Sequence, residues 1–269
     1  MQPAAGNDEE NPFRGFGLRV DDCAQTHRDE EKAMFAYRSS RRAIWRAVGG
    51  GITWVVLASA AVHCCDAKEN AAKPKKLVLF DGKTLNGWKK TNFGGEGEVK
   101  VENGAIVMEF GSSLTGITST RKDLPRTNYE LSYEAMRRSG YDFFAAATFP
   151  VGKSYATFVN GGWGGSVTGI SSLDGFDASE NETSAFFDYK DKRWYKFRIR
   201  VTDERIQCFI DDKKVVDVKH KGREVDTRIE VDLSKPLGFA AWETTGAVRN
   251  IQIRMLTPRE VAEINKEKE

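Results

Sequence analysis

The chain has 269 residues, 40% of them hydrophobic and 11% aromatic, which is apolar material for a large core and too much for a disordered chain. Its 41 Lys and Arg stand against 39 Asp and Glu, a formal charge of +2, so the basic field that draws a protein onto nucleic acid is missing. With 25 glycines and a mean hydropathy of −0.51, the composition suits a turn-rich all-β protein better than a helical bundle or a polytopic membrane protein.

Residues 1–40 carry acidic clusters, Asn7-Asp8-Glu9-Glu10 and Asp29-Glu30-Glu31, without an apolar period, and are expected to form a disordered extension. From Phe35 to Cys65 there is no acidic residue. Arg38, Arg41, Arg42 and Arg46 precede an apolar run, Ala47 to Val62, that ends in small residues; this is the order of an export signal, placed at residues 41–67. The run is broken by Gly49-Gly50-Gly51 and is shorter than the roughly 20 residues of a spanning helix. Cleavage after Ala67 and a periplasmic or extracellular location follow as expectations, with membrane contact only through an uncleaved signal. Ser40-Arg41-Arg42-Ala43-Ile44-Trp45-Arg46 fits a twin-arginine signal, and also an ordinary secretory n-region that contains two arginines. A start at Met34 would remove residues 1–33, and Ala61-Val62-His63 is a poor approach to Cys64 as a lipidated cysteine.

Residues 68–76 read as a lysine-rich linker. Three of the four cysteines, Cys23, Cys64 and Cys65, precede the candidate domain and leave Cys208 alone in it, which rules out a disulfide framework. Of His27, His63 and His220 only the last falls in the domain, flanked by lysines, so a Ser-His-Asp triad or a histidine-rich zinc site is excluded. Any chemistry must rest on carboxylates.

From Leu77 to Leu256 the sequence reads as short strands between turn signals, with no helical stretch between them and no internal repeat. Leu77 to Phe80 opens the series. Val99 to Glu102 and Ala105 to Phe110 flank Asn103-Gly104, a pair suited to a type I′ hairpin because both central positions need positive φ. Tyr129, Leu131, Tyr133 and Ala135 alternate with Glu130, Ser132, Glu134 and Met136; Tyr195, Phe197, Ile199 and Val201 alternate with Trp194, Lys196, Arg198 and Arg200. Ile206, Cys208 and Ile210 continue a core face, Asp211-Asp212-Lys213-Lys214 turns into Val215 to Val218, and strands follow at Leu237 to Trp242 and Val248 to Leu256. So many strands predict a two-sheet antiparallel sandwich over residues 77–256. Thr257-Pro258-Arg259-Glu260 supplies an N-cap, a proline at the first helical position and a capping-box glutamate, which predicts a short, mostly solvated C-terminal helix within residues 257–269.

Leu79-Phe80-Asp81-Gly82-Lys83-Thr84-Leu85-Asn86-Gly87-Trp88, then Val101-Glu102-Asn103-Gly104 and Ser139-Gly140-Tyr141-Asp142-Phe143-Phe144, resemble the bacterial 3-keto-disaccharide hydrolase family. The resemblance covers about residues 77–256 and implies a concanavalin-like jelly roll. Where many members carry a Tyr-Glu element followed by an aspartate, this chain has Val159-Asn160-Gly161-Gly162-Trp163-Gly164-Gly165 and the acidic run Asp174 to Thr183, and so resembles a planctomycete-type subgroup.

The implied activity needs a base, because a ketone at C3 of a sugar acidifies the C2 proton: a carboxylate forms an enolate that expels the anomeric oxygen, an arginine or a metal holds the negative charge, and hydration completes hydrolysis. Glu134 and Asp142, with Arg137 and Arg138, are the candidate catalytic groups, or else surface ion pairs. Trp163 with Gly162 and Gly164, Trp242 on the face opposite Leu237 and Phe239, and Arg198 are candidates for sugar binding, the tryptophans otherwise serving as core. Asp174, Asp177, Glu180, Asn181 and Glu182 offer oxygens for a divalent ion such as calcium, or form a solvated turn loop. No organic cofactor is expected. Glu230-Val231-Asp232 lacks the second glutamate of a laminarinase-type glucanase strand. A non-catalytic carbohydrate-binding or cell-surface module on the same sandwich is the alternative to an enzyme.

Overall fold

The computed structural model describes residues 76–267; the N-terminal extension, the export signal and residues 68–75 of the linker lie outside the described residues. No helix among the described residues is long and apolar enough to cross a membrane.

Among the described residues fifteen antiparallel strands form two sheets. The first runs, in spatial order, β13 (Lys213–Lys219), β12 (Arg205–Ile210), β11 (Tyr195–Val201), β6 (Tyr129–Gly140), β15 (Thr244–Met255), β4 (Ala105–Met108) and β3 (Val99–Glu102), with β1 (Lys76–Val78) also paired to β15. The second runs β10 (Ala185–Phe186), β9 (Val167–Ser171), β8 (Ser154–Gly161), β7 (Ala146–Val151), β14 (Gly238–Trp242), β5 (Leu114–Ser119) and β2 (Trp88–Lys90). The architecture is a jelly-roll sandwich.

The alternation read from the sequence places the core. Tyr129, Leu131 and Ala135 of β6 and Tyr195, Ile199, Ile206 and Cys208 of β11 and β12 are fully buried between the sheets. Rings from both sheets meet there: Tyr133 stacks on Phe197 at 5.0 Å and meets Phe239 of the second sheet edge-on at 4.8 Å. The Tyr129 hydroxyl crosses the sandwich and donates to the Pro150 carbonyl at 2.7 Å. Asn103 and Gly104 both take positive φ, 51° and 76°, as the hairpin between β3 and β4 demands.

Two strand readings change. β5 and β7 are buried at every residue, so neither shows the two-residue period that would reveal it. β15 begins at Thr244 and not at Val248, with register irregularities after Thr245 and Arg249 that break the alternation. Gly246 is required inside it, because a Cβ there would lie 1.9 Å from the Phe144 carbonyl oxygen.

The C-terminal helix α1 (Pro258–Lys266) starts on a complete capping box between Thr257 and Glu260, and Ile264 is its one buried residue. Arg254 forks onto the Glu260 carboxylate at 2.9 and 3.1 Å and, with the Thr257 bonds, pulls its pKa from 4.5 to about 2. A depressed carboxylate stabilises the fold above its ordinary pKa and loses that contribution as pH falls through the folded value. Between pH 5 and 2, wild type should therefore lose more melting temperature than Glu260→Gln, and Thr257→Ala should cost about 1 kcal/mol at neutral pH. Parallel pH curves for wild type and Glu260→Gln would contradict the assignment.

Candidate functional site

Both outer faces of the sandwich carry a cavity: on the first sheet one of about 300 Å3 is lined by charged residues that include Glu130, Glu134, Lys196 and Arg198, and on the second sheet a more apolar one holds the tryptophans. Leu114 of β5, Ala146 of β7, Thr157 and Val159 of β8, Ser171 of β9 and Trp242 of β14 turn away from the core and line a cavity of about 240 Å3. Its rim comes from three loops: Asp142 and Phe143 after β6, Trp163 after β8, and Arg228, Glu230 and Val231 from the segment before β14. Ile229–Ser234 of that segment is a 3-10 turn that lies across the outer face, with Val231 packed on Leu114 and Ala240.

Asp142 ties these loops together. Its backbone N–H donates to Thr244 Oγ1 at 3.1 Å; its Oδ1 accepts from the Phe143 N–H at 2.8 Å and its Oδ2 from the Gly164 N–H at 3.0 Å. Each oxygen keeps a second lone pair, so the carboxylate is aimed but not consumed. Trp163 sits in the Gly162–Gly165 turn at φ 50° and ψ 51°, a left-handed conformation that costs an aromatic residue about 1–2 kcal/mol. The residue is 44% exposed despite that cost. The turn thus spends backbone strain to hold an indole at the cavity mouth. Gly162 packs tightly, since a Cβ would come 2.8 Å from Val159 Cγ1, and Gly164 supplies φ 87° together with the N–H that reaches Asp142.

Arg228 forms the opposite wall. Nε and one terminal nitrogen fork onto Glu230 at 3.1 and 2.8 Å, the other terminal nitrogen meets Asp177, and the guanidinium lies 6.0 Å from the Trp163 ring centroid. These bonds use three of its five N–H groups and leave two for a ligand. The same fork holds the Glu230 carboxyl below the usual range, so Glu230 is a poor base.

The structure separates other sequence candidates from this cavity. Glu134 and Arg198 do point away from the core, but from the first sheet, so they stand on the far outer face of the sandwich and do not meet Asp142 or Trp242. Glu134 accepts from Arg249 Nε at 2.9 Å and Asn250 at 3.0 Å; Arg198 lies over the Phe209 ring at 4.3 Å. The expectation of one site holding Glu134, Asp142, Arg198 and Trp242 is corrected accordingly: alternation tells core from outside, and not which outside. Arg138 pairs with Glu102 at 2.9 Å. Arg137 bonds Asp191 and the Tyr189 carbonyl, each at 2.6 Å, and its Nη1 lies beside Gly165, where a Cβ would come within 3.3 Å of it. Trp88 is a core residue, and Trp194 lies under Arg249 on the first sheet's outer face.

The acidic loop does not fit a metal ion. Asp174 and Glu182 both pair with Arg223, which lowers both carboxyls; Asp177 meets Arg228 and Ser171; Glu180 is exposed. Asn181 turns its amide N–H groups onto the carbonyls of Ile170, Phe176 and Asp177. Among the described residues no three His, Cys, Asp or Glu side chains gather around one point. The expected calcium set is thus replaced by a loop clasped by two arginines.

Arg228, Glu230, Val231, Thr157 and Ser171 were not among the sequence candidates. The spacing of Arg228 and Glu230 is ordinary, and only the fold lays their segment over the second sheet.

The chain is similar to several solved structures. The chain is 12% identical to the Crh5 transglycosylase in complex with NAG, with 70% of this chain and 86% of that one covered and a TM-score of 0.48. It is 13% identical to the carbohydrate binding module CBM66 from Bacillus subtilis, covering 62% and 95% at a TM-score of 0.42. It is also 13% identical to domain 4 of AbnA, an extracellular arabinanase from Geobacillus stearothermophilus, in complex with arabinotriose, covering 66% and 87% at 0.42. No curated protein matches the chain. The model of the 3-keto-alpha-glucoside-1,2-lyase-like domain, the 3-keto-disaccharide hydrolase family that the opening motif resembles, matches residues 75–254, and the chain belongs to that family.

Proposed function

We propose that this chain is an exported enzyme that cleaves 3-keto-glycosides in the cavity between Trp163 and Trp242. The observation that supports it is that a backbone-aimed carboxylate, Asp142, and an arginine with two spare N–H groups, Arg228, line one cavity on the outer face of a family domain named for 1,2-lyase chemistry. Asp142 takes the C2 proton, the C–H electrons form the C2–C3 enolate, and Arg228 holds the negative oxygen at C3. Collapse of the enolate restores the C3 carbonyl, forms a C1–C2 double bond and breaks the C1–O bond, and the departing oxygen takes up a proton. Water adding across C1–C2 turns this elimination into net hydrolysis.

The test is incubation of the full chain with methyl 3-keto-α-glucoside, followed by NMR. The expected products are methanol and an unsaturated 3-keto sugar or its hydrate, and a C2-deuterated substrate should react several-fold more slowly. Trp163→Ala should weaken binding about tenfold if its ring stacks on the sugar. Binding without turnover would favour the carbohydrate-binding module instead. Export predicts a mature N-terminus near residues 66–70 by mass spectrometry of the native protein; an intact cytoplasmic chain that keeps residues 35–65 would contradict it.

A further inference from the structure

The second sheet's outer face carries another cavity beyond the 3-10 turn, about 590 Å3 in volume. Four residues along β5 separate Leu114 in the first cavity from Thr118 in the second, about 13 Å at the usual rise. Lys89, Arg121, Lys122, Arg126 and Lys235 line it, and no acidic residue does. We propose that this groove binds an anionic oligosaccharide bearing sulfate or carboxylate groups.

The charge there is poorly compensated. Arg121 has Asp123, and Lys235 has Asp226 and Asp232. Arg126 spends its donors on neutral acceptors, the Gly152 and Ser154 carbonyls and the Tyr155 hydroxyl, so its charge is fixed in place without a counter-ion among the described residues. Among the described residues Lys89 and Lys122 pair with no carboxylate, in a chain whose overall charge is only +2. Arg126 and Lys235 both lie against one ring, Tyr155, at 4.7 and 5.4 Å from its centroid. Lys235 is held by its two carboxylates, so the uncompensated charge at this ring is that of Arg126, and together with Lys89 and Lys122 it leaves a cationic lining that an anion would neutralise. The cavity's size and its Leu124, Pro150 and Pro236 walls exceed what a single inorganic anion would fill, and its concavity does not suit a flat lipid surface.

The inference stands apart from the proposed catalysis, because it is read as binding. The full chain is titrated by calorimetry with a heparin-derived octasaccharide, neutral maltooctaose, inorganic phosphate and phosphatidylserine vesicles. The octasaccharide should bind with an affinity that falls steeply with salt, and maltooctaose should not compete with it. Lys89 and Lys122 are exposed, so the Lys89→Gln/Lys122→Gln double variant should fold, bind the octasaccharide at least tenfold more weakly with a shallower salt dependence, and turn over methyl 3-keto-α-glucoside as wild type does. Unchanged affinity in the double variant overturns the proposal. So does octasaccharide binding that is lost in Trp163→Ala alone, which puts the ligand in the first cavity. Phosphate or vesicles that bind as tightly, with the same lysine dependence, also overturn it.

Discussion

Asp142→Asn is expected to lower kcat/KM toward methyl 3-keto-α-glucoside by about 10^2- to 10^4-fold, the usual worth of a positioned general base. The amide keeps the size of the carboxylate but cannot take the C2 proton. It also turns one NH2 group toward either the Phe143 or the Gly164 N–H, so a small loss of stability accompanies the loss of rate. Glu230→Gln separates the two carboxylates, since it leaves Asp142 untouched and removes half of the fork on Arg228. It should lower the rate far less than Asp142→Asn. A kinetic isotope effect at C2 that persists in a weakened Asp142→Asn enzyme would be consistent with a slower base taking over. A variant as fast as wild type would show that the base lies elsewhere.

Phe197→Ala should produce the largest loss of stability, about 3–5 kcal/mol. Phe197 is 1% exposed and its ring neighbours come from both sheets: Tyr133 stacked at 5.0 Å, with Phe144 at 6.3 Å and Phe158 at 6.2 Å edge-on. Removing it opens a cavity where the sheets join, and rings held by surrounding strands relax only in part. Urea denaturation measures the loss, and Phe197→Leu should recover much of it. A loss below about 1 kcal/mol for Phe197→Ala would mean that the sheets are not joined through this cluster.

Much of the fold was legible in the chain, for a physical reason. A strand with one buried face writes a two-residue period into its sequence, and β6, β11 and β12 show it at Tyr129 to Ala135, Tyr195 to Val201 and Ile206 to Ile210. Turns and caps depend on neighbours within a few residues, so Asn103-Gly104 and the Thr257–Glu260 capping box could be read locally as well. The glycines around Trp163 point in the sequence to close approach of a ligand, and in the structure they form the turn that brings Trp163 to one cavity with Asp142 and Trp242.

The rest depended on contacts between residues far apart in the chain. β5 and β7 are covered on both faces and so lose their period, the first partly under a segment more than a hundred residues away. Whether an outward side chain joins a site depends on which sheet carries it, which is why Glu134 and Arg198 fall on the face opposite Trp242. Arg223 and Arg228, about fifty residues along the chain from the acidic loop, take the carboxylates that composition alone would offer to a cation. Sequence period determined which residues turn inward; the tertiary pairing of strands and loops decided which of the outward ones face each other, because only three-dimensional proximity can bring Arg228 to Trp163 or set Arg126 and Lys235 against the one Tyr155 ring.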